Sequence, residues 1–356
     1  MSSVPIRNVY NMLVYAFEVL KSKEYEWLNK EDCRDIYDLM AALLLCGAQT
    51  LIKRGFLKNY ISQTNELTAI RGRVDIANSV RKLSLQNAKA ICDYDEFSGN
   101  ILFNQILKAT FLYLSRQNLQ ESIKRDISRI LQYFTEIDTV NFRAVKWDIF
   151  VFNRNNSHYD MLLYFCRLIC EDAIANQSKG AEKFRTLEES FLPTLFERFI
   201  NAFYKKHLPY SVSCQQQIKW NADNMEMLPK MNADTIITNN ETKLIIDTKF
   251  YSKTLQSNRF SDNQTVISSN LYQIFAYVKN EAAWTRPKTI AGMLLYPQTD
   301  MPIKKVYCID GDNFFIQTVD LNQEFDLIRK ELLDIYSGVE DTLGFNNNST
   351  RIQHQA

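Results

Sequence analysis

The stretch Asn232–Tyr251, NADTIITNNETKLIIDTKFY, decides the fold of the second half of the chain. Two apolar runs separated by an Asn-rich turn predict a β-hairpin. If the loop holds an even number of residues, Asp234 lies directly opposite Asp247, with both side chains on one face. Lys249 is two residues beyond Asp247 and shares its face. A slip of one residue would turn Asp234 to the other face unless a bulge restored it.

This predicted arrangement suits phosphodiester hydrolysis. Two carboxylates on adjacent strands can hold Mg²⁺ while it keeps several waters. A bound cation lowers the pKa of water and stabilises negative charge on a phosphodiester, and a nearby lysine can orient the attacking water. Asp and Lys also interrupt an otherwise apolar strand, which is typical of a functional site. The alternative is a solvent-facing hairpin whose charges only keep that face hydrated.

The segments around this hairpin predict a mixed sheet flanked by helices. An amphipathic helix carries Phe191, Leu195, Phe199 and Phe203 at intervals of four residues. The remaining predicted segments are strands over 211–219, 232–238, 242–250, 289–296, 303–309 and 313–319, with helices over 187–207, 264–280 and 322–336. The fold class is therefore α/β (mixed).

The first half has a different pattern. Apolar residues at helical spacing predict helices over 6–21, 33–54, 100–117, 122–135 and 159–176. Between them, short β-like pieces broken by glycine and asparagine over 54–76 predict one or two hairpins. We therefore predict an N-terminal α+β domain over 1–180, a second domain over 185–340 and a disordered tail over 341–356.

Composition limits the possible functions. The chain has 356 residues, with 42 Lys and Arg against 41 Asp and Glu, so no global positive field draws it onto nucleic acid. Its seven cysteines do not have the spacing of a zinc or redox motif. We see no apolar run near the length of about 18 residues that spans a bilayer and no signal peptide pattern. The expectation is a cytoplasmic protein that does not bind a membrane.

Several motifs together resemble a known family. LPKMNAD at Leu228–Asp234, followed by LIIDTKFY at Leu244–Tyr251, is similar to the PD-(D/E)xK nuclease motif. SNLYQIFAY at Ser269–Tyr277 and VPIRNVY at Val4–Tyr10 extend the likeness over nearly the whole chain, to about residue 337. On these motifs the chain resembles the McrC family, the nuclease subunits of McrBC modification-dependent (type IV) restriction systems. The proline that names the nuclease motif is absent, since Asn232 and Ala233 precede Asp234.

The resemblance implies a PD-(D/E)xK endonuclease domain with a specific set of site residues. Asp234 and Asp247 match the Mg²⁺-binding acids, and Lys249 matches the catalytic lysine. Gln273 and Tyr277 fit a Q-x-x-x-Y element and share a helix face, where they can position DNA or the lysine. The alternative for this pair is the polar edge of a core-facing helix.

Glu197 is a further candidate ligand. It lies where many relatives have an acid on the helix before the sheet, within reach of the metal directly or through water. The alternative is a solvated glutamate paired with a lysine.

The resemblance also implies a partner. The chain contains no G-x-x-x-x-G-K-[ST] sequence, so GTP is expected to be bound by an McrB-like AAA+ GTPase hexamer and not by this chain. The N-terminal domain would dock to that hexamer and stimulate its GTPase, with Arg71 and Arg73 of the 54–76 region as contact residues. The alternative is an ordinary surface hairpin with arginines paired to nearby acids.

The expected function is Mg²⁺-dependent cleavage of double-stranded methylated DNA, containing methylcytosine, by the assembled complex. Two other functions stay open. One is a catalytically weak scaffold that activates the GTPase, and the other is a stand-alone PD-(D/E)xK repair nuclease. Intact Asp234, Asp247 and Lys249 favour the nuclease subunit over the scaffold, and near-neutral charge disfavours the stand-alone enzyme.

Overall fold

The computed structural model describes residues 4–17, 20, 33–153, 156, 158–178, 185–239, 241–251, 255–257, 264–284 and 289–353. The chain divides into two compact units, one formed by Lys21–Leu187 and the other by Met1–Leu20 together with Glu188–Ala356. The first described helix, α1 (Ile6–Ala16), therefore belongs to the second unit.

The unit formed by Lys21–Leu187 is mainly helical with a small antiparallel sheet. Its elements are α2 (Ile36–Arg54), β1 (Asn59–Leu67), β2 (Arg73–Val74), α3 (Ile76–Arg81), β3 (Ala90–Ser98), α4 (Leu102–Leu114), α5 (Glu121–Leu131) and α6 (His158–Ser178). Helices α2, α4, α5 and α6 pack against one another, and the three strands are ordered β1-β3-β2.

The predicted hairpin within 54–76 is wrong. Strands β1 and β2 do not pair with each other, because each pairs with β3, which lies later in the chain. The β1–β3 ladder runs over nine residue pairs, from Asn59–Ser98 to Leu67–Ala90, and so satisfies more backbone groups than a local hairpin could. Gly72 permits this arrangement, because its φ is +65° and a Cβ there would lie 2.3 Å from the Asp93 carbonyl oxygen.

The sequence analysis found no apolar run near the length that spans a bilayer, but helix α2 is such a run. It has 19 residues, and an 18-residue stretch of it has a mean hydropathy of 1.4, long and apolar enough by composition to cross a membrane. In the structure 72% of this stretch is buried inside the protein, and it packs on α5 and α6. Helix α2 is therefore the core helix of this unit.

The second unit contains a six-stranded mixed sheet flanked by helices. Its elements after α1 are α7 (Arg185–His207), β4 (Ser211–Ile218), β5 (Met231–Thr238), β6 (Thr242–Thr248), β7 (Leu255–Ser257), β8 (Gln264–Val266), α8 (Ser268–Trp284), β9 (Thr289–Pro297), β10 (Lys304–Ile309), β11 (Asp312–Val319) and α9 (Phe325–Gln353). The sheet order is β10-β11-β9-β6-β5-β4, with β6, β9 and β11 parallel to one another. Strands β7 and β8, which were not predicted, form a separate two-stranded ribbon.

Helix α8 covers one face of the sheet. Its Ile274, Tyr277 and Val278 join a core cluster with Ile245 of β6 and other buried strand residues. Gly292 of β9 allows this close approach, since a Cβ there would lie 2.7 Å from Ile274 Cγ1. On α7, Phe191, Leu195, Phe199 and Phe203 are all fully buried, which confirms the predicted apolar face.

Both ends of the chain differ from the predicted domain limits. Residues up to 20 belong with the second unit, because Asn8 donates from Nδ2 to the carbonyls of Leu321 and Gln323, each at 2.8 Å. The predicted tail is helical as far as Gln353, and Leu343 is buried, so α9 extends well beyond residue 336. Residues 179–184, where the sequence places the domain boundary, and 354–356 lie outside the described residues.

Candidate active site

Strands β5 and β6 place the two aspartates side by side. Their ladder pairs Thr235 with Ile246 and continues to Thr238 and Lys243, which confirms the predicted register. Backbone pairing stops one position before Asp234 and Asp247. Beyond that point the Asp234 side chain connects the two strands in place of the backbone. Its Oδ2 accepts hydrogen bonds from the backbone N and from Oγ1 of Thr248, each at 2.8 Å. The hairpin thus orients Asp234 beside the end of β6.

Strand β5 is irregular at Asp234. Met231 and Ala233 belong to the same core cluster as Ile236, although strict alternation would put them on the opposite face. The alternation therefore changes phase between Ala233 and Ile236. The hairpin predicted from the sequence has regular alternation and does not include this change. The irregularity lies at Asp234, a candidate site residue, as is common for strand irregularities beside active sites.

Asp247 and Lys249 form an ion pair in which the carboxylate is buried and the lysine is half-buried. Lys249 Nζ lies 2.8 Å from Asp247 Oδ2, an oxygen that otherwise has no hydrogen-bond partner among the described residues. Only 1% of Asp247 is exposed. Burial, partly offset by Lys249 and reinforced by Asp234, raises the pKa of Asp247 to about 6. Burial lowers the pKa of Lys249, but the charge and hydrogen bond of Asp247 together with the Asp234 carboxylate outweigh burial, so the pKa of Lys249 lies above its usual value.

Helix α8 supplies the partners of the lysine. Lys249 Nζ donates to Gln273 Oε1 at 2.9 Å, and Gln273 Nε2 donates to the Tyr277 hydroxyl at 2.8 Å. Burial raises the pKa of Tyr277, so the hydroxyl stays protonated at neutral pH. The two α8 residues are one helical turn apart, as their spacing predicts, and together they fix the direction of the Lys249 amine.

Glu197 of α7 is held by the edge strand β4. Its Oε1 accepts a hydrogen bond from Gln215 Nε2 of β4. Burial raises the pKa of Glu197, and the Asp234 carboxylate raises it further. Gln215 lies opposite Asp234 in the β4–β5 register, so its hydrogen bond brings Glu197 to the Asp234 side of the site.

Three contributors to the site were not predicted from the sequence. Thr248 holds Asp234, Gln215 holds Glu197, and Asn270 connects the hydroxyls of Tyr251 and Tyr296. Thr248 could have been found from its place between Asp247 and Lys249. Gln215 lies in a run of three glutamines and carries no sequence signal.

Arg71 and Arg73 belong to the other unit and are exposed. The Arg71 guanidinium lies over the Tyr94 ring, 4.9 Å from its centroid. Arg73 of β2 is paired in register with Asp93 of β3. The small sheet therefore displays both arginines on its surface.

The donor chemistry of the site fits a hard divalent cation. Among the described residues, no three His, Cys, Asp or Glu side chains converge into a preformed metal cage. Mg²⁺ does not require one, because it keeps several waters and uses one or two protein carboxylates. The otherwise unpartnered Oδ2 of buried Asp247 and the neighbouring Asp234 supply oxygen ligands of that kind.

A mixed sheet flanked by helices, with two aspartates and a lysine gathered where two adjacent strands end, defines an α/β fold of the nuclease type. The family model described as McrBC 5-methylcytosine restriction system component matches residues 6–297, and the chain belongs to this family. The resemblance predicted from the sequence is thereby confirmed at the family level.

Two known proteins share this similarity along almost the full chain. The Escherichia coli (strain K12) protein named type IV methyl-directed restriction enzyme EcoKMcrBC is 29% identical over 345 residues, which cover 94% of this chain and 97% of that protein. The second is a chain of the refined half-complex from the tetradecameric assembly of Thermococcus gammatolerans McrB AAA+ hexamers with bound McrC. It has a TM-score of 0.52 and 17% identity over 94% of this chain and 76% of that chain, a likeness of fold.

Proposed function

We propose that this chain is the endonuclease subunit of a GTP-dependent restriction complex that cleaves methylcytosine-containing double-stranded DNA. The observation that carries the proposal is the Lys249 amine held between Asp247 and Gln273, with Asp234 oriented beside them. A solvent-facing hairpin has no reason to bury an aspartate and orient a lysine, since burying charges is costly unless they are used or well paired.

Asp234 and Asp247 would hold Mg²⁺, with Glu197 joining them directly or through water. When bound, the cation lowers the pKa of a water and stabilises negative charge on the phosphodiester. The site itself withholds bulk water from Asp247, and burial strengthens every electrostatic interaction of that carboxylate.

Lys249 would act on the reacting groups. Its amine carries a proton, because its pKa lies above the usual value, and so it can donate to the attacking water or to a phosphate oxygen. Gln273 accepts from the amine and Tyr277 orients the Gln273 amide, so both act as positioning residues for Lys249.

The Lys21–Leu187 unit would dock to an McrB-like AAA+ GTPase hexamer and stimulate GTP hydrolysis there. Family membership supports this, as does the Thermococcus assembly, in which McrC is bound to McrB AAA+ hexamers. Exposed Arg71 and Arg73 on the small sheet are the candidate contacts. Changing both to alanine should reduce GTPase stimulation.

The central test is cleavage of a methylated plasmid with Mg²⁺ and GTP, with and without the cognate GTPase. Wild type is compared with Asp247→Ala, and Asp334→Ala serves as the matched control because Asp334 is an exposed aspartate on α9. We expect cleavage that requires the partner, GTP and Asp247, with Asp334→Ala active. Cleavage by Asp247→Ala at the wild-type rate would refute the nuclease role.

The same assay distinguishes the two alternatives. A scaffold would stimulate the GTPase without any cutting by the wild type. A stand-alone repair nuclease would cut without the partner and without GTP. Either result would replace the proposed function.

A further inference from the structure

Gln215 has an unusual backbone for its place in the fold. Its φ is +48°, in the left-handed region that disfavours residues with a Cβ. The other described non-glycine residues with positive φ, namely Leu83, Ala88, Met227 and Asp310, lie in turns or loops, whereas Gln215 lies inside β4. Such conformations in the middle of an element persist only where surrounding contacts enforce them, and they cluster at functional sites.

The register puts this residue opposite Asp234. Strands β4 and β5 pair at Cys214–Thr235 and again at Gln216–Ala233, and the position between them is Gln215 facing Asp234. Pairing resumes without an inserted residue. The conformational break in β4 and the phase change in β5 therefore coincide at the candidate metal ligand.

The side chain of Gln215 reaches out of the sheet to α7, where its Nε2 donates to Glu197 Oε1. Asn201, one helical turn further along α7, donates to the Ser213 carbonyl at 3.1 Å and to Thr235 Oγ1 at 3.2 Å. Helix α7 is thus tied to both strands next to Gln215, so the Gln215–Glu197 contact joins elements that are already fixed.

We infer that Gln215 is a positioning residue that holds the Glu197 carboxylate beside Asp234 and so completes the acidic side of the site. This inference rests on the proposed function. An amide suits the task because it donates a hydrogen bond without adding charge. A lysine or arginine at this position would neutralise the Glu197 carboxylate and compete with a bound cation. An aspartate or glutamate would repel the Glu197 carboxylate.

The test uses Gln215→Gly in the full complex. Glycine adopts the left-handed region without steric cost, so this change removes the amide while keeping the backbone conformation. We expect a loss of about 10–100-fold in cleavage rate or in apparent Mg²⁺ affinity, the range typical of groups that orient metal ligands. The melting temperature should not fall, and stimulation of the partner's GTPase should be unchanged.

Two controls separate positioning from a structural effect. Gln217→Ala changes an exposed glutamine on the same strand and should cleave like wild type. Glu197→Ala should be as impaired as the double variant Glu197→Ala/Gln215→Gly, because a residue that acts through Glu197 has nothing left to position once Glu197 is gone. Independent, multiplying losses would overturn the inference.

The outcomes also distinguish this inference from the proposed function. If Asp247→Ala abolishes cleavage while Gln215→Gly retains the wild-type rate and Mg²⁺ dependence, only the positioning role is refuted. If Asp247→Ala cleaves normally, the nuclease assignment fails and the positioning role fails with it.

Discussion

The buried ion pair between Lys243 and Glu281 gives a prediction whose size can be worked out from the structure. Lys243 lies on β6 and Glu281 on α8, and their side chains are only 10% and 7% exposed. Removing one partner of a buried pair costs about 3–5 kcal/mol, because the other charge stays buried without it. We therefore expect Glu281→Ala to lower the free energy of unfolding of the second unit by about 3–5 kcal/mol.

The same argument predicts that replacing the second charge as well restores the stability lost in Glu281→Ala. Replacing both charges by apolar residues of similar volume, as in Lys243→Met/Glu281→Leu, removes the burial penalty together with the attraction and is often neutral or stabilising. The double variant should therefore lie within about 1 kcal/mol of wild type or above it. The matched control is Asp326→Ala on α9, whose ion pair with Arg329 is 90% exposed at the aspartate and should contribute less than about 1 kcal/mol.

Calorimetry and urea titration of the whole chain measure these differences. A loss of about 3–5 kcal/mol corresponds to a fall of roughly 6–20 °C in melting temperature for a unit of this size. If Glu281→Ala changes stability no more than Asp326→Ala does, the pair is solvated in solution and the argument from burial is refuted. If the double variant is as unstable as Glu281→Ala, the ion pair stabilises the fold by more than its burial costs, and the predicted rescue is wrong.

Three further predictions concern the fold and the metal. Gly292→Ala should destabilise the second unit by about 1–3 kcal/mol, since the new methyl group must displace Ile274 of α8. It should also reduce cleavage; calorimetry measures the first effect and the plasmid assay the second. Asn8→Ala should cost about 1–3 kcal/mol, because two carbonyls lose their donor, and urea unfolding that is unchanged would argue against this role. Mg²⁺ at a hundredfold excess over its Kd should stabilise wild type by about 2.7 kcal/mol. Asp247→Ala should lose this shift, as should wild type treated with EDTA, whereas Asp334→Ala should retain it.

Much of the second unit could be predicted because its signals are local. The β5–β6 register follows from the parity of one short loop, and the apolar face of α7 follows from four phenylalanine and leucine positions. The contact between Lys249 and Gln273 was within reach only through the family resemblance, because it joins residues 24 positions apart. Periodicity places each residue on an element but does not say which elements meet.

Two of the wrong predictions, the hairpin within 54–76 and the domain assignment of α1, share one cause. The small sheet was read as a hairpin within 54–76, but β1 and β2 find their partner in β3, and pairing over such a separation leaves no mark on local pattern. Helix α1 was assigned to the N-terminal domain by proximity in sequence, but Asn8 bonds carbonyls more than 300 residues away. In both cases long-range pairing decided the structure.

The architecture of the site suggests that its two sides are positioned independently. On the lysine side, Gln273 and Tyr277 are positioned by α8. This helix packs closely on the sheet at Gly292 and is held there by the Lys243–Glu281 ion pair. On the acidic side, Glu197 depends on α7, which Asn201 ties to the strands beside Gln215. Since the two sets share no contact that we identify among the described residues, losses from a change on each side should add in free energy. Gly292→Ala should then impair the action of Lys249 without altering Mg²⁺ dependence, because the new methyl group displaces α8 alone. Gln215→Gly should alter Mg²⁺ dependence without impairing Lys249, because it removes only the hydrogen bond to Glu197.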